Sequence, residues 1–309
     1  MNTIIFPGQG SQKAGMASEF QSNFKIVKDI FKRGDEALKF SLSEIILNGS
    51  DEDLKKTEIT QPAILITSYA IFSVLKKEFN FDFSKTKFIA GHSLGEYSAL
   101  VAFESLSLED GLKLVHERGK FMQAAVPEGE GAMLAVMGKD IDELNLLIKK
   151  YNKKKGICEI ANDNSPGQII LSGNKQTLID LSTDLKAEKK RSIFLPVSAP
   201  FHCTLMKPAA ERMKLLLEKT NFKNPNIQLI SNVTALPVGK DSKIKDLLYK
   251  QIFSQVRWRE SVNFMINNDI NDFIEIGPGK VLSGLVKRTN DKVSSRSITK
   301  IDDIKVLND

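Results

Sequence analysis

The chain has 309 residues, 41% of them hydrophobic and 27% charged, with a formal net charge of +6. This length is enough to bury a sizeable core, either as one large domain with an insertion or as two ordinary domains. No run reaches the ~20 apolar residues of a membrane span. Only two cysteines are present, Cys158 and Cys203, so we expect free buried thiols rather than a disulfide scaffold or a zinc site.

Basic residues cluster at 153–155 and 186–191. No arginine-rich arm, aromatic platform or zinc-finger spacing accompanies them, so no nucleic-acid partner is expected. An acidic protein partner fits these clusters, and a solvated surface without a partner is the commoner alternative. The first six residues lack the basic region of a signal peptide, which predicts a cytoplasmic protein.

The N-terminal half alternates apolar runs with helical patterns. Strands are predicted at 4–6 and 87–90, and helices at 14–38, with a break, and at 62–79. Thr60 is predicted to cap the second helix, with Pro62 in its first turn. The alternation predicts an α/β fold with a mostly parallel sheet covered by helices on both faces.

A β-α-β-β-α-β pattern follows, from about residue 131. Its strands are predicted at 132–137, 157–162, 168–172 and 192–197, and its helices at 141–151 and 175–189, with a tight turn at 164–167. This order predicts a ferredoxin-like subdomain at 127–197, inserted into a core formed by 1–126 and 198–309. A ligand cleft is expected between the two. In the rest of the core, helices are predicted at 207–220, 244–253 and 260–267, and strands at 227–231 and 272–276.

The sequence GHSLG at 91–95 is a G-x-S-x-G motif between an apolar run and an alanine-rich helical segment. A strand, a cramped turn and a helix in this order expose a serine hydroxyl and direct the next backbone N–H toward a developing oxyanion. Ser93 is therefore the predicted nucleophile, with Leu94 as an oxyanion donor. The alternative is a glycine-rich turn without chemistry.

Three histidines could serve Ser93 as a base. His92 is adjacent in sequence and should point away, and His116 lies on a predicted helix as a solvated surface residue. His202 follows the last strand of the insert, where the chain returns to the core across the predicted cleft, so we predict it to be the general base. A hydrogen-bonded loop histidine without a catalytic role is the alternative.

Arg118 lies on a predicted helix among apolar residues at 114, 115, 121 and 122, which share its face. A buried guanidinium needs a carboxylate, from either this protein or a substrate. A structural salt bridge is one explanation, and recognition of a substrate carboxylate is the other. The glycine-rich segment 6–12 follows the first strand without the lysine of a phosphate-binding loop, which makes it a candidate second oxyanion loop.

Several motifs occur together along nearly the whole chain: FPGQGSQ at 6–12, TQPA at 60–63, GHSLGE at 91–96, RGKFMQ at 118–123, NSPGQ at 164–168, FH at 201–202, the segment 251–258 and EIGPG at 275–279. In these motifs the chain resembles the malonyl-CoA:acyl carrier protein transacylases and the related acyltransferase domains of fatty-acid and polyketide synthases. The resemblance implies an α/β-hydrolase-like core. Gln255 departs from the family pattern, because many relatives carry proline there.

The resemblance also implies roles for individual residues. Ser93 would be the nucleophile and His202 the base, with the backbone N–H groups of Gln9 and Leu94 forming the oxyanion hole. The base would be oriented by the backbone carbonyl of Gln251 rather than by an acidic residue. The implied substrate-binding residues are Arg118, which would grip the malonyl carboxylate, together with Gln9, Gln61, Met122, Asn162 and Phe201, whose bulk favours malonyl over branched acyl groups.

The predicted reaction is ping-pong transfer of a malonyl group from malonyl-CoA to the phosphopantetheine thiol of an acidic acyl carrier protein, through an acyl-enzyme on Ser93, for fatty-acid synthesis. No metal or organic cofactor is expected, and the chain is predicted to be a monomer. The alternatives are a thioesterase or hydrolase that uses the same acyl-enzyme, a polyketide-type acyltransferase with another acyl-CoA, and an inactive carrier-binding scaffold.

Overall fold

The computed structural model describes residues 1–152, 156–197, 199–305 and 307. The strands are β1 Asn2–Phe6, β2 Thr86–Gly91, β3 Gly131–Met137, β4 Cys158–Ser165, β5 Gln168–Asn174, β6 Ser192–Phe194, β7 Gln228–Ile230, β8 Pro237–Val238, β9 Asp272–Ile276 and β10 Ser294–Ile298. The helices are α1 Ser18–Asn23, α2 Lys25–Leu38, α3 Leu42–Asn48, α4 Asp51–Lys55, α5 Thr57–Lys77, α6 Gly95–Ala102, α7 Leu108–Ala124, α8 Ile141–Asn152, α9 Lys175–Ala187, α10 Lys207–Lys219, α11 Asp241–Gln251, α12 Trp258–Asn267, α13 Val281–Thr289 and α14 Ile301–Lys305.

The larger sheet has the strand order β10-β9-β1-β2-β7-β8. All of its neighbouring strands are parallel except the short β7–β8 pair. On β1, Ile4 and Phe6 join one apolar cluster and Ile5 joins another. Because successive side chains of a strand point to opposite faces, both faces of this strand are buried. The predicted α/β class with a mostly parallel sheet is confirmed.

The smaller sheet is antiparallel, with the order β4-β5-β3-β6. One of its faces packs under α8 and α9, and Met133, Ala135 and Ile170 of the other face join the main core. Strand β4 is tied to the loop before α12, because Val256 N donates to Ala161 O at 2.8 Å. The smaller sheet is therefore joined to the main core by apolar side chains and to the loop before α12 by a backbone hydrogen bond.

The predicted start of the long helix is wrong. Helix α5 begins at Thr57, and Thr60 is no cap because its hydroxyl bonds the carbonyl of Leu54. Pro62 lies inside the helix and has no N–H for the carbonyl of Glu58, four residues earlier. His116 Nδ1 bonds that carbonyl instead, at 2.8 Å, so this histidine is half-buried and bonded rather than a solvated surface group.

Other boundaries differ by smaller amounts. Strand β6 ends at Phe194, three residues before its predicted end, although Leu195 N still donates to Met133 O at 2.9 Å. Helices α3, α4, α13 and α14 and strands β8 and β10 were not predicted. Among the described residues, α5 alone is long and apolar enough to cross a membrane, and 83% of its most apolar window is buried in the fold.

Candidate active site

Ser93 stands at a strained turn between β2 and α6, with a left-handed φ of 53°. Gly91 and Gly95 are needed for space rather than for a left-handed backbone, because neither has a positive φ. A Cβ on Gly91 would lie 1.9 Å from the carbonyl carbon of Gly95, and one on Gly95 would lie 2.3 Å from Phe6 O. Strand β2, helix α6 and the end of β1 therefore meet at backbone contact, and this holds the serine at the edge of the sheet.

Ser93 Oγ lies 2.8 Å from His202 Nε2. On the far side of the ring, His202 Nδ1 lies 2.8 Å from the backbone oxygen of Gln251, which can only accept, so Nδ1 carries the proton and Nε2 is free to accept. Burial, followed by the positive charge of Arg118, lowers the pKa of His202 to about 3. The imidazole is therefore neutral at physiological pH and ready to take the serine proton.

Arg118 projects from α7 into the same cleft and is only 1% exposed. Its guanidinium donates to Gln61 Oε1 at 2.7 Å, to Ser93 Oγ at 3.0 Å and to Gln251 Oε1 at 2.9 Å. All three acceptors are neutral, and Arg118 Nε is buried without a hydrogen-bond partner among the residues that the structure describes. Burial lowers the pKa of Arg118. In the described part of the chain no carboxylate forms a salt bridge with Arg118, so the internal ion pair considered as its structural explanation is not found there.

A small pocket of about 100 Å³ opens onto these groups. Its lining residues include every predicted substrate-binding side chain and four residues that were not predicted to belong to the site, His92, Met133, Leu195 and Val197: Gln9, Gln61, His92, Ser93, Arg118, Met122, Met133, Asn162, Leu195, Val197, Phe201 and His202. A wider groove of about 470 Å³ adjoins it at Gln9 and Val197. The larger part of the pocket wall is apolar, and its polar groups converge on the serine.

The two predicted oxyanion donors come from separate loops. Leu94 precedes the first turn of α6, and Gln9 lies in the loop after β1, which contacts the glycines of the elbow. Within the described ranges, neither backbone N–H has an intramolecular acceptor. Both N–H groups are thus free of an internal acceptor there, which is a requirement for an oxyanion donor.

The remaining candidates lie where the sequence indicated. His92 points away from the hydroxyl of Ser93, because its Nε2 lies 2.9 Å from Asn164 Oδ1 and its ring packs beside Trp258. Cys158 and Cys203 are free and buried, as predicted. No group of three or more potential metal ligands occurs among the residues that the structure describes.

Three polar residues around the site carry more of its geometry than the sequence indicated. Asn232 Oδ1 accepts from Ser93 N at 2.7 Å, and Asn232 N donates to the carboxylate of Glu96 at 2.6 Å. The side-chain amide of Gln251 bonds Arg118, Glu96 and the backbone oxygen of Ser93. The motif quoted at 91–96 contains Glu96, but no local pattern marks Asn232.

The fold and the bonded serine and histidine define an enzyme of the acyl-transfer class. The chain matches the acyl transferase domain over residues 3–306. It is 43% identical over 298 residues to the malonyl CoA-acyl carrier protein transacylase of Bacillus subtilis, covering 96% of this chain and 92% of the relative. The chain therefore belongs to the acyl transferase domain family.

Solved structures agree closely with the fold. An acyl-carrier-protein-S-malonyltransferase from Bartonella henselae has a TM-score of 0.96 at 39% identity, covering 99% of this chain and 98% of that one. A type II PKS acyl-carrier protein in complex with its malonyl-transacylase gives a TM-score of 0.95 at 35% identity, covering 100% of this chain and 99% of that one.

Proposed function

We propose that this chain transfers a malonyl group from malonyl-CoA to the phosphopantetheine thiol of an acyl carrier protein and so provides extender units for fatty-acid synthesis. The observation that carries the proposal is the position of Ser93 Oγ, which lies 2.8 Å from the base His202 and 3.0 Å from the buried cation Arg118. The malonyl and carrier-protein names of the similar proteins support it.

In the first half-reaction, His202 Nε2 takes the Ser93 proton as Oγ bonds to the thioester carbonyl carbon. The carbonyl oxygen, now negative, accepts hydrogen bonds from the N–H groups of Gln9 and Leu94. When the tetrahedral species collapses, the carbon–sulfur bond breaks and His202 returns the proton to the CoA thiolate. The second half-reaction runs the same steps in reverse, with the carrier thiol as nucleophile. Every role is filled by a group of the chain, so the proposal includes no metal or organic cofactor.

Arg118 selects the acyl group in this proposal. The malonyl carboxylate takes the place of neutral acceptors on the guanidinium and gives a charge-assisted, two-pronged pairing in a water-poor pocket. Gln61 and Asn162 form polar parts of the pocket wall, and the bulky side chains of Met122 and Phe201 limit its size. With about 100 Å³ available, a short unbranched acyl chain fits best.

We further propose a core at 1–126 and 198–309 of the α/β-hydrolase type and a ferredoxin-like insert at 127–197. The strand order of the smaller sheet supports the insert. Ser198, the boundary residue, and the basic cluster at 153–155 lie outside the described residues.

The carrier protein is proposed to be acidic and to dock near the basic run at 186–191. This run precedes β6, where Ile193 and Phe194 are exposed, and Leu195, directly after β6, lines the pocket. We also propose that the protein is a cytoplasmic monomer and that it binds neither nucleic acid nor membranes.

The test is incubation with malonyl-CoA, with and without holo acyl carrier protein, followed by intact-protein mass spectrometry. We expect a malonyl adduct on Ser93 that moves to the carrier, and no adduct on Ser93→Ala. Free malonate without a carrier product would indicate a thioesterase. The absence of any adduct would indicate a carrier-binding scaffold, and equal use of branched acyl-CoAs would indicate a polyketide-type enzyme.

A further inference from the structure

Glu96 is a buried carboxyl group that the transfer mechanism does not use. It is the second residue of α6, directly behind the nucleophile elbow, and is 1% exposed. Its side chain does not line the pocket. Burial raises the pKa of Glu96 to about 8, because removal from water disfavours the charged form of a carboxyl group.

Both oxygens of Glu96 accept hydrogen bonds from residues that hold the site. Oε1 accepts from Asn232 N at 2.6 Å, and Oε2 accepts from Gln251 Nε2. Asn232 in turn accepts from Ser93 N through Oδ1 and donates to Gly91 O through Nδ2, at 2.7 and 2.8 Å. One carboxyl group therefore joins the two residues that position the backbone of the elbow.

Gln251 bonds three functional groups, and the orientation of its side-chain amide decides two of these bonds. Its backbone oxygen accepts from His202, its Oε1 accepts from Arg118, and its Nε2 donates to Ser93 O at 2.9 Å. If the amide rotated by half a turn, its NH₂ group would face the guanidinium, where two donors repel each other. The carboxyl oxygen of Glu96 and the backbone oxygen of Ser93 both accept from the NH₂ group and together oppose that rotation.

We propose that Glu96 is a positioning residue, which keeps the Gln251 amide oxygen on Arg118 and so holds the guanidinium where it receives the acyl carboxylate. The inference rests on the malonyl transfer proposed above. Glu96 touches neither the serine hydroxyl nor the pocket, so it acts through Gln251.

The variant Glu96→Gln tests this role. The backbone N–H of Asn232 cannot turn, so the new amide must offer it oxygen and must present NH₂ to Gln251. The two NH₂ groups repel each other, so the Gln251 amide is displaced and its oxygen is no longer held on Arg118. We expect the ratio of malonyl to acetyl acylation rates, measured on Ser93 in single turnovers, to fall at least about tenfold, as for the loss of one hydrogen bond to a charged group.

Glu275→Gln is the matched control. Glu275 is also fully buried and accepts from the N–H groups of Leu282 and Ser283, at 3.1 and 2.7 Å, at the start of α13. Its replacement should lower stability without changing the malonyl-to-acetyl ratio. A ratio that falls equally in both variants would assign the effect to a lost buried carboxylate in general and would overturn the proposal.

A double-mutant cycle with Gln251→Met separates positioning from an independent structural effect. If Glu96 acts through Gln251, the double variant should have the malonyl-to-acetyl ratio of Gln251→Met alone. If the decreases in the malonyl-to-acetyl ratio caused by the two single substitutions multiply in the double variant, the proposal is overturned. Glu96→Asp enters the same cycle if Glu96→Gln does not fold. Failure of the wild-type chain to acquire malonyl would instead refute the proposed function, so the two failures are distinguishable.

Discussion

Replacing Arg118 by methionine should convert a malonyl-selective site into one that accepts acetyl equally well. The side chain is fully buried, and among the described residues its three acceptors are neutral amide and hydroxyl oxygens. Methionine fills a similar volume without charge, so the change removes the cation and creates little space. Removing one partner of a buried, hydrogen-bonded charge pair costs about 2 to 5 kcal/mol, which is roughly a 30-fold to several-thousand-fold loss of malonyl acylation.

The assay is the single-turnover rate of acylation of Ser93 from malonyl-CoA and from acetyl-CoA, at matched folded fractions. Acetyl carries no carboxylate, so its rate should stay near that of the wild type or rise. Arg212→Ala is the control, because Arg212 stacks on Phe121, a neighbour of Arg118 along α7, with its guanidinium carbon 3.8 Å from the ring centroid. Equal losses for both acyl groups in Arg118→Met would refute carboxylate recognition.

Four further predictions follow, two on the base, one on the pocket wall and one on the carrier. Because burial and Arg118 lower the pKa of His202 to about 3, kcat/KM for acylation should stay flat from about pH 8 to 5 instead of falling near 6.5; an inflection near 6.5 would contradict this. The unfolded chain binds this proton and the folded chain does not, so unfolding free energy should fall by about 1.4 kcal/mol per unit as pH drops from about 6.5 towards 3, and His202→Gln should lose that slope. Phe201→Ala should raise the ratio of methylmalonyl to malonyl acylation. An unchanged ratio would show that Phe201 does not limit the size of the acyl group. Transfer from the malonyl-enzyme to the carrier should slow with added salt, less steeply in Lys189→Ala and Arg191→Ala; a salt-independent rate would argue against a basic docking surface.

Local patterns predicted the main elements of the fold, because hydrophobic periodicity depends on neighbours in sequence. The order of the smaller sheet's strands and helices follows from it, and so does the strand-turn-helix around Ser93. The start of α5 could not be found this way. Pro62 is acceptable within the helix because His116, 54 positions away in sequence, bonds the carbonyl that the proline leaves free. Such compensation is tertiary and has no local signal.

In the candidate site, too, features with a local sequence signal could be predicted and features that depend on tertiary contacts could not. The chain has few histidines, and helical spacing places Arg118 on an apolar face. Ser93, His202 and Arg118 could therefore be predicted from the sequence. The polar residues that hold them could not. Asn232 is separated from Ser93 by 139 positions, and Gln251 from Arg118 by 133. Hydrogen bonds between residues so far apart in sequence depend on the tertiary packing, and no sequence periodicity predicts them.

Strain at the site explains why those distant residues are needed. Ser93 and His202 both have left-handed backbones, with φ of 53° and 59°, a conformation that costs of order 1 to 3 kcal/mol for each residue. Asn232 bonds the N–H of Ser93, and Gln251 bonds both the oxygen of Ser93 and the ring of His202. Each bond returns about 1 kcal/mol, so the strained turn at Ser93 is held through its backbone and the one at His202 through its ring. The hydroxyl of Ser93 takes no part in this support, and among the described residues it is bonded only to the base and to the guanidinium.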